Sequence, residues 1–301
     1  MTISKKSKKN TPKNNKRNQT KKTQNNSKKK SSQSNKKMNQ AKICSTCDVI
    51  KTNSDGNMYS LNNENWKMFP ENIPILGRTN GTQTILIDLG KTYSNCLLYY
   101  FASKQIHTNK LTEFPKAYQG SNNNGLVKLD INGKAHIFLD CPQPYKEDGN
   151  SYISHVHFIV SDKSMKKWTQ KLGTQAIVCE ISKKDVKRHI KNNDRIIINA
   201  LPRDMFLQSH IPGSYSLHYK EAQNMSNDKI KSVVKSLIKK HKKIQPYLKN
   251  NKITLEDTPL LVYCYNQQCS AGKLLANEFI KAGFTNVIDY KDGILDWMSR
   301  N

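Results

Sequence analysis

The stretch that most restricts the fold is residues 259–272, PLLVYC followed by YNQQCSAG. An apolar run of strand length ends at Cys264 and a short polar loop follows. Over residues 273–282, Leu274, Leu275, Phe279 and Ile280 then recur at helical spacing. A strand, a cysteine, a tight loop and a helix bring a helix N-terminus and the loop amides around one sulfur. Both favour the anion, so the pattern predicts a lowered thiol pKa. A buried core cysteine is the alternative, since free cysteine is among the most buried residue types.

The flanks add landmarks. Residues 195–206 read RIIINALPRDMF, and His210, Ile211, Pro212 and Gly213 follow. Beyond the cysteine come residues 282–290, AGFTNVIDY, then Asp292, Gly293, Ile294 and Trp297. In that order these features resemble the rhodanese-like domain, a sulfurtransferase family, over residues 176–301. The resemblance implies an α/β doubly wound parallel sheet with Cys264 at the position of the catalytic cysteine. In that family the cysteine attacks a sulfane-sulfur donor such as thiosulfate, holds the sulfur as a persulfide and passes it to a thiol or cyanide-like acceptor. This is covalent catalysis by an activated thiolate, with no cofactor. Tyr265, Asn266, Gln267, Gln268 and Ser270 then form the substrate-binding loop, whose backbone amides hold the anionic sulfur. Gln267 and Gln268 add side-chain donors, and Lys273 adds distant positive charge.

Cys269 is a candidate resolving thiol, attacking a persulfide on Cys264 to give a Cys264–Cys269 disulfide and sulfide. The alternative is that it only fills the loop. The chain also departs from the family pattern. Asn199 and Leu201 stand where Asp-x-Arg is frequent, Asp292 stands where a second glycine often precedes Gly293, and the active loop lacks a cation. A catalytically inactive rhodanese-like interaction module is therefore the rival reading. A cysteine phosphatase is disfavoured because Ser270, not arginine, lies six residues after Cys264, and no guanidinium is there to clamp phosphate oxygens.

Upstream the composition changes. Residues 1–42 carry fifteen lysines or arginines and no acid, so taking these from the net charge of +27 leaves +12 for the rest. With almost nothing apolar to bury, residues 1–55 are expected to be a disordered basic tail and linker. Residues 1–42 are a candidate nucleic-acid or polyanion contact, or a nuclear address. Without aromatics they offer no base-stacking platform. Cys44 and Cys47 form a lone C-x-x-C, half a zinc site with no second pair at the usual spacing. Seven cysteines without framework spacing suit a reducing compartment. The sequence shows no secretory h-region and no apolar run of membrane-spanning length. An intracellular protein, cytoplasmic or nuclear, with no membrane partner is expected.

Residues 56–172 read as a mainly β domain, a sandwich or barrel, in which no family is recognisable. Strands are expected over 84–89, 96–101, 126–131, 134–139 and 154–160. Asn132-Gly133 is expected to join the middle pair as a hairpin. His155 and His157 point to one face of their strand. With Cys141 or His136 they suggest a metal site, but no complete ligand set accompanies them, so the reading is structural and the metal assignment is none. Residues 163–175 read as a linker or short helix. Downstream, the pattern predicts a strand over 176–181 and a helix over 183–190 capped by Ser182. A buried strand over 195–200 follows, then a long amphipathic helix opened by Ser226, a strand over 287–290 and a last helical turn at Trp297.

Overall fold

A computed structural model of the chain describes residues 78–104, 111–114, 116–118, 121–166, 168–169 and 172–299. The basic tail, Cys44 and Cys47, and the start of the β region at residues 56–77 lie outside the described residues. The described residues belong to one compact unit.

The upstream strands are β1 (Gln83–Asp88), β2 (Leu97–Ala102), β3 (Thr112–Glu113), β4 (Asn124–Lys128) and β5 (Lys134–Leu139), then β6 (Tyr145–Glu147), β7 (Asn150–Tyr152), β8 (His155–Val160) and β9 (Gly173–Ala176). An antiparallel sheet runs β4-β2-β8-β9. Its strands β2 and β8 are covered on both faces. Leu98, Tyr100, Val156, Phe158 and Val160 face one core, while Tyr99, Phe101 and Ile159 face another. The pair β1-β5 packs against the first core, and β3-β6-β7 contributes Tyr145 to the second.

Asn132 and Gly133 do form a tight turn, with Gly133 at φ +76° and its N–H bonded to Asp130 O at 3.0 Å. The expected hairpin ladder does not follow from it. β5 pairs with β1 and β4 with β2, so the turn carries the chain from one sheet to another. Residues 163–175 also differ from expectation. Ser161 bridges Trp168, and β9 pairs antiparallel with β8, so the presumed linker completes a sheet edge. An apolar core on both faces of β8 supplied the partner that local patterning did not reveal.

The C-terminal part alternates β10 (Cys179–Glu180), α1 (Lys183–Asn192), β11 (Ile196–Asn199), α2 (Arg203–Gln208), β12 (Tyr215–Ser216), α3 (Tyr219–Gln223), α4 (Asn227–Lys240), α5 (Gln245–Asn250), β13 (Leu260–Tyr263), α6 (Ala271–Lys281), β14 (Val287–Tyr290) and α7 (Gly293–Met298). The five strands form a parallel sheet in the order β10-β14-β13-β11-β12. β11, β13 and β14 are buried throughout, which is why their sequences are apolar except for Asn199 and Asp289. Ser182 and Asp185 close a capping box on α1, and Ser226 Oγ accepts from Lys229 N at 3.2 Å to open α4. Such caps contribute about 1 kcal/mol each.

The β region and the parallel sheet share a core. Ile87, Leu98, Tyr100 and Val156 cluster with Ile177, Ile197, Leu261, Tyr263, Ile288, Tyr290 and Ile294. The Gln83 side chain pairs with the backbone of Glu180, donating to its O at 2.9 Å and accepting from its N at 2.8 Å. A disulfide joins Cys141 to Cys179, a link for which the cysteine spacing gave no signal. Among the described residues no helix is long and apolar enough to cross a membrane.

Candidate active site

β13 is central in its sheet, paired with β11 on one side and β14 on the other, and Cys264 is the first residue beyond its carboxyl end. The start of α7 anchors the chain as it leaves the strand. Ile294 N donates to Cys264 O at 2.9 Å, and Leu295 N to Tyr265 O at 3.0 Å. Gly293 makes that approach possible. It has φ +67°, and a Cβ there would lie 2.5 Å from Cys264 O. The loop is folded on Asn266, whose side-chain oxygen accepts from the backbone N of Gln268 and of Cys269, each at 3.2 Å. Gln267 Nε2 donates to Asp292 Oδ1 at 2.5 Å. Asp292 therefore does what a second glycine could not, tying the active loop to the last helix.

The sulfur sits deeper than the motif implied. Cys264 is 1% exposed, and its thiol donates to Cys269 O at 3.0 Å. Burial pushes the thiol pKa up to about 12. Contact with the Cys269 side chain and the charge of Asp289 add to the rise, against which the Gly272 N–H acts. The expected lowering is thus reversed in this conformation. The amides of Gln268 and Cys269 are taken up by Asn266, a carbonyl rather than a donor lies nearest the sulfur, and the first-turn amide of α6 is outweighed by desolvation. Cys264 and Cys269 are both free of disulfides.

Asp289 is the functional candidate that the sequence reading missed. It lies in β14 in register with Val262, two residues before Cys264. Its Oδ1 is buried with no hydrogen-bond partner among the described residues, and it lies 2.6 Å from where a Cβ on Gly272 would be. Burial, then the neighbouring Glu180, raise its pKa to about 7, against Lys291 and Lys273. An acid inside a four-residue buried strand was the available signal.

Tyr265, Gln267, Gln268 and Ser270 form the exposed rim of the loop, while Asn266 and Cys269 are half-buried. Lys273 is exposed. Asn199 is fully buried and accepts from Leu201 N at 2.8 Å, so it serves the backbone at the end of β11. His155 and His157 belong to the β region and are fully buried. Cys141 is in the disulfide, and His136 is exposed on β5. A cleft of about 350 Å³ lined by Lys146, Lys231, Glu256, Asp257 and Thr285 involves no residue of the Cys264 loop.

Residues 182–300 match the family of the rhodanese-like domain. The C-terminal part of the chain is a rhodanese-like domain. No family matches the part before it, and no curated protein is significantly similar to the chain. Among solved structures, the human single-domain sulfurtransferase TSTD1 is 15% identical, with a TM-score of 0.29 over 40% of this chain and 96% of that one. An uncharacterized protein from Saccharomyces cerevisiae is 16% identical, with a TM-score of 0.29 over 40% of this chain and 92% of that one. The rhodanese-like domain thus contains a cysteine at the strand end, a loop folded on Asn266 and a buried carboxyl beside them.

Proposed function

We propose that the rhodanese-like domain is a sulfurtransferase that carries sulfane sulfur as a persulfide on Cys264. The observation that carries this reading is a free cysteine at the carboxyl end of the central strand, with the first-turn amide of α6 directed at its sulfur. The carboxyl edge of an open parallel sheet is where ligands meet α/β proteins. The thiol first loses its proton, which requires the loop to lift Cys269 O away and admit water or donor. The thiolate then attacks the outer sulfur of a donor such as thiosulfate. The donor's S–S bond breaks and sulfite leaves with the electron pair. A thiol or cyanide-like acceptor takes the sulfur and restores the thiolate. Cys269, in contact with Cys264, acts as a resolving thiol. Its thiolate attacks Cys264 Sγ in the persulfide, a Cys264–Cys269 disulfide forms, and hydrosulfide departs. Intact-mass analysis after exposure to thiosulfate tests the reading. The gain of one sulfur atom per chain is expected, and an unchanged mass counts against it.

The second reading is an inactive rhodanese-like interaction module whose basic tail binds nucleic acid. The burial of Cys264 and its raised pKa favour it. In this reading residues 1–42, with fifteen cations and no acid, are the polyanion-binding element. Deleting them is expected to abolish salt-sensitive retention of nucleic acid. Affinity and salt slope unchanged by the deletion would refute the tail's role.

A further inference from the structure

The β region contains a second polar cluster that the sulfur chemistry does not use. Sequence spacing provides only two ligands there, His155 and His157, and the structure brings neither Cys141 nor His136 to them. Among the described residues no three His, Cys, Asp or Glu side chains gather around a common point. Two tyrosines do come. Tyr118, from the turn after β3, and Tyr145, from β6, direct their hydroxyls at the same imidazole nitrogen.

The distances converge on one point. His155 Nε2 lies 3.1 Å from His157 Nε2, 3.4 Å from Tyr118 Oη and 3.3 Å from Tyr145 Oη. The two tyrosine side chains are also hydrogen-bonded to each other. His155 Nδ1 is 2.5 Å from Ile153 O, an acceptor only, so that nitrogen carries the proton and Nε2 presents its single lone pair. His157 Nδ1 is likewise occupied by Thr174 Oγ1 at 2.9 Å, leaving its Nε2 pointing inward. Imidazoles held through Nδ1 on oxygen atoms, with their Nε2 atoms facing each other at 3.1 Å, match the outer-shell arrangement of metal-ligating histidines. Donor atoms around a four-coordinate ion at ~2.0–2.1 Å stand about 3.3 Å apart. All four side chains are buried, with exposures of 4% for Tyr118, 0% for Tyr145, 2% for His155 and 0% for His157.

We propose that Tyr118, Tyr145, His155 and His157 form a buried metal site whose two phenolic oxygens select ferric iron. Imidazole serves iron, copper, zinc and nickel alike, but a hard anionic oxygen pair favours the harder, more highly charged ion. Binding displaces the two phenolic protons to solvent. The two phenolates then offset two of the ion's three charges. The wall is aromatic, with Phe101 stacked on His157 at 5.0 Å and Phe114 beside Tyr118 and Tyr145. Such a wall excludes competing water ligands.

The test incubates the full chain with ferric citrate, removes unbound metal by desalting and records iron content and the visible spectrum. One iron per chain with a phenolate-to-iron charge-transfer band is expected. Tyr118→Phe and Tyr145→Phe keep the ring packing and remove one oxygen each, and both are expected to lose or shift the band and lower retained iron. Zinc added in equal excess is expected not to displace it. No retained iron, retained iron without the visible band, or displacement by zinc would each overturn the proposal. So would a band unchanged in both tyrosine variants. Should either variant fail to fold by circular dichroism, the wild-type spectrum and the zinc competition decide alone.

Discussion

Replacing Cys264 by serine is expected to abolish sulfur loading. After exposure to thiosulfate the wild-type chain gains one sulfur atom and the variant gains none, because no other free thiol in the described residues ends a central strand of the parallel sheet. Serine is close in size, and the cysteine's hydrogen bond to Cys269 O survives with a hydroxyl donor. A loss of loading therefore reports chemistry and not collapse of the loop. Cys269→Ser separates the resolving role from the carrying role. That variant is expected to load normally and to keep its persulfide longer, since the neighbouring thiol that expels hydrosulfide is gone. Loading unchanged in Cys264→Ser would end the catalytic assignment. A persulfide lifetime unchanged in Cys269→Ser would end only the resolving role.

Asp289→Asn is expected to change both the pH dependence of stability and the reactivity of Cys264. In the folded chain this carboxyl titrates near 7, against an ordinary value of 3.8. Between roughly those two pH values the folded state holds a proton that the unfolded state has released. Stability therefore falls as pH rises through this window, and the full penalty is present above it. Three pH units correspond to at most ~4 kcal/mol. Asparagine carries no charge to desolvate, so the variant is expected to lack this slope and to be the more stable form above neutrality. Urea unfolding between pH 4 and pH 8 measures it, and parallel slopes in the two proteins would contradict the assignment. Because the Asp289 charge raises the Cys264 pKa, the same substitution is expected to speed alkylation of Cys264 at a fixed alkaline pH.

The α/β half was legible because its signals are local. A parallel strand buried on both faces reads as an apolar run, as in residues 196–198 and 260–263. The caps at Ser182 and Ser226 and the glycine that opens α7 need no knowledge of distant partners. The β half was legible only as strands. Asn132-Gly133 announces a reversal, but which strands pair is decided by β1 and β2, whose apolar faces select β5 and β4 across long stretches of chain. The site shows the same division. The motif located Cys264 and its loop, whereas the thiol's pKa is governed by burial and by an acid on the neighbouring strand. Tyr118 and Tyr145 reach His155 from separate segments, 37 and 10 residues away, at spacings that match no known ligand pattern.

The shared core has a consequence for synthesis on the ribosome. The β region is translated first, yet the apolar face it presents through Ile87, Leu98 and Tyr100 is covered by Ile288, Tyr290 and Ile294, which belong to the last strand and helix among the described residues. Until those residues leave the exit tunnel, the nascent β layers expose a surface that only the far end of the same polypeptide can close. Cys141 likewise waits for Cys179. The usual order of vectorial folding, in which an upstream domain is finished before the next begins, is therefore unavailable to this protein, and its two halves reach the native state together.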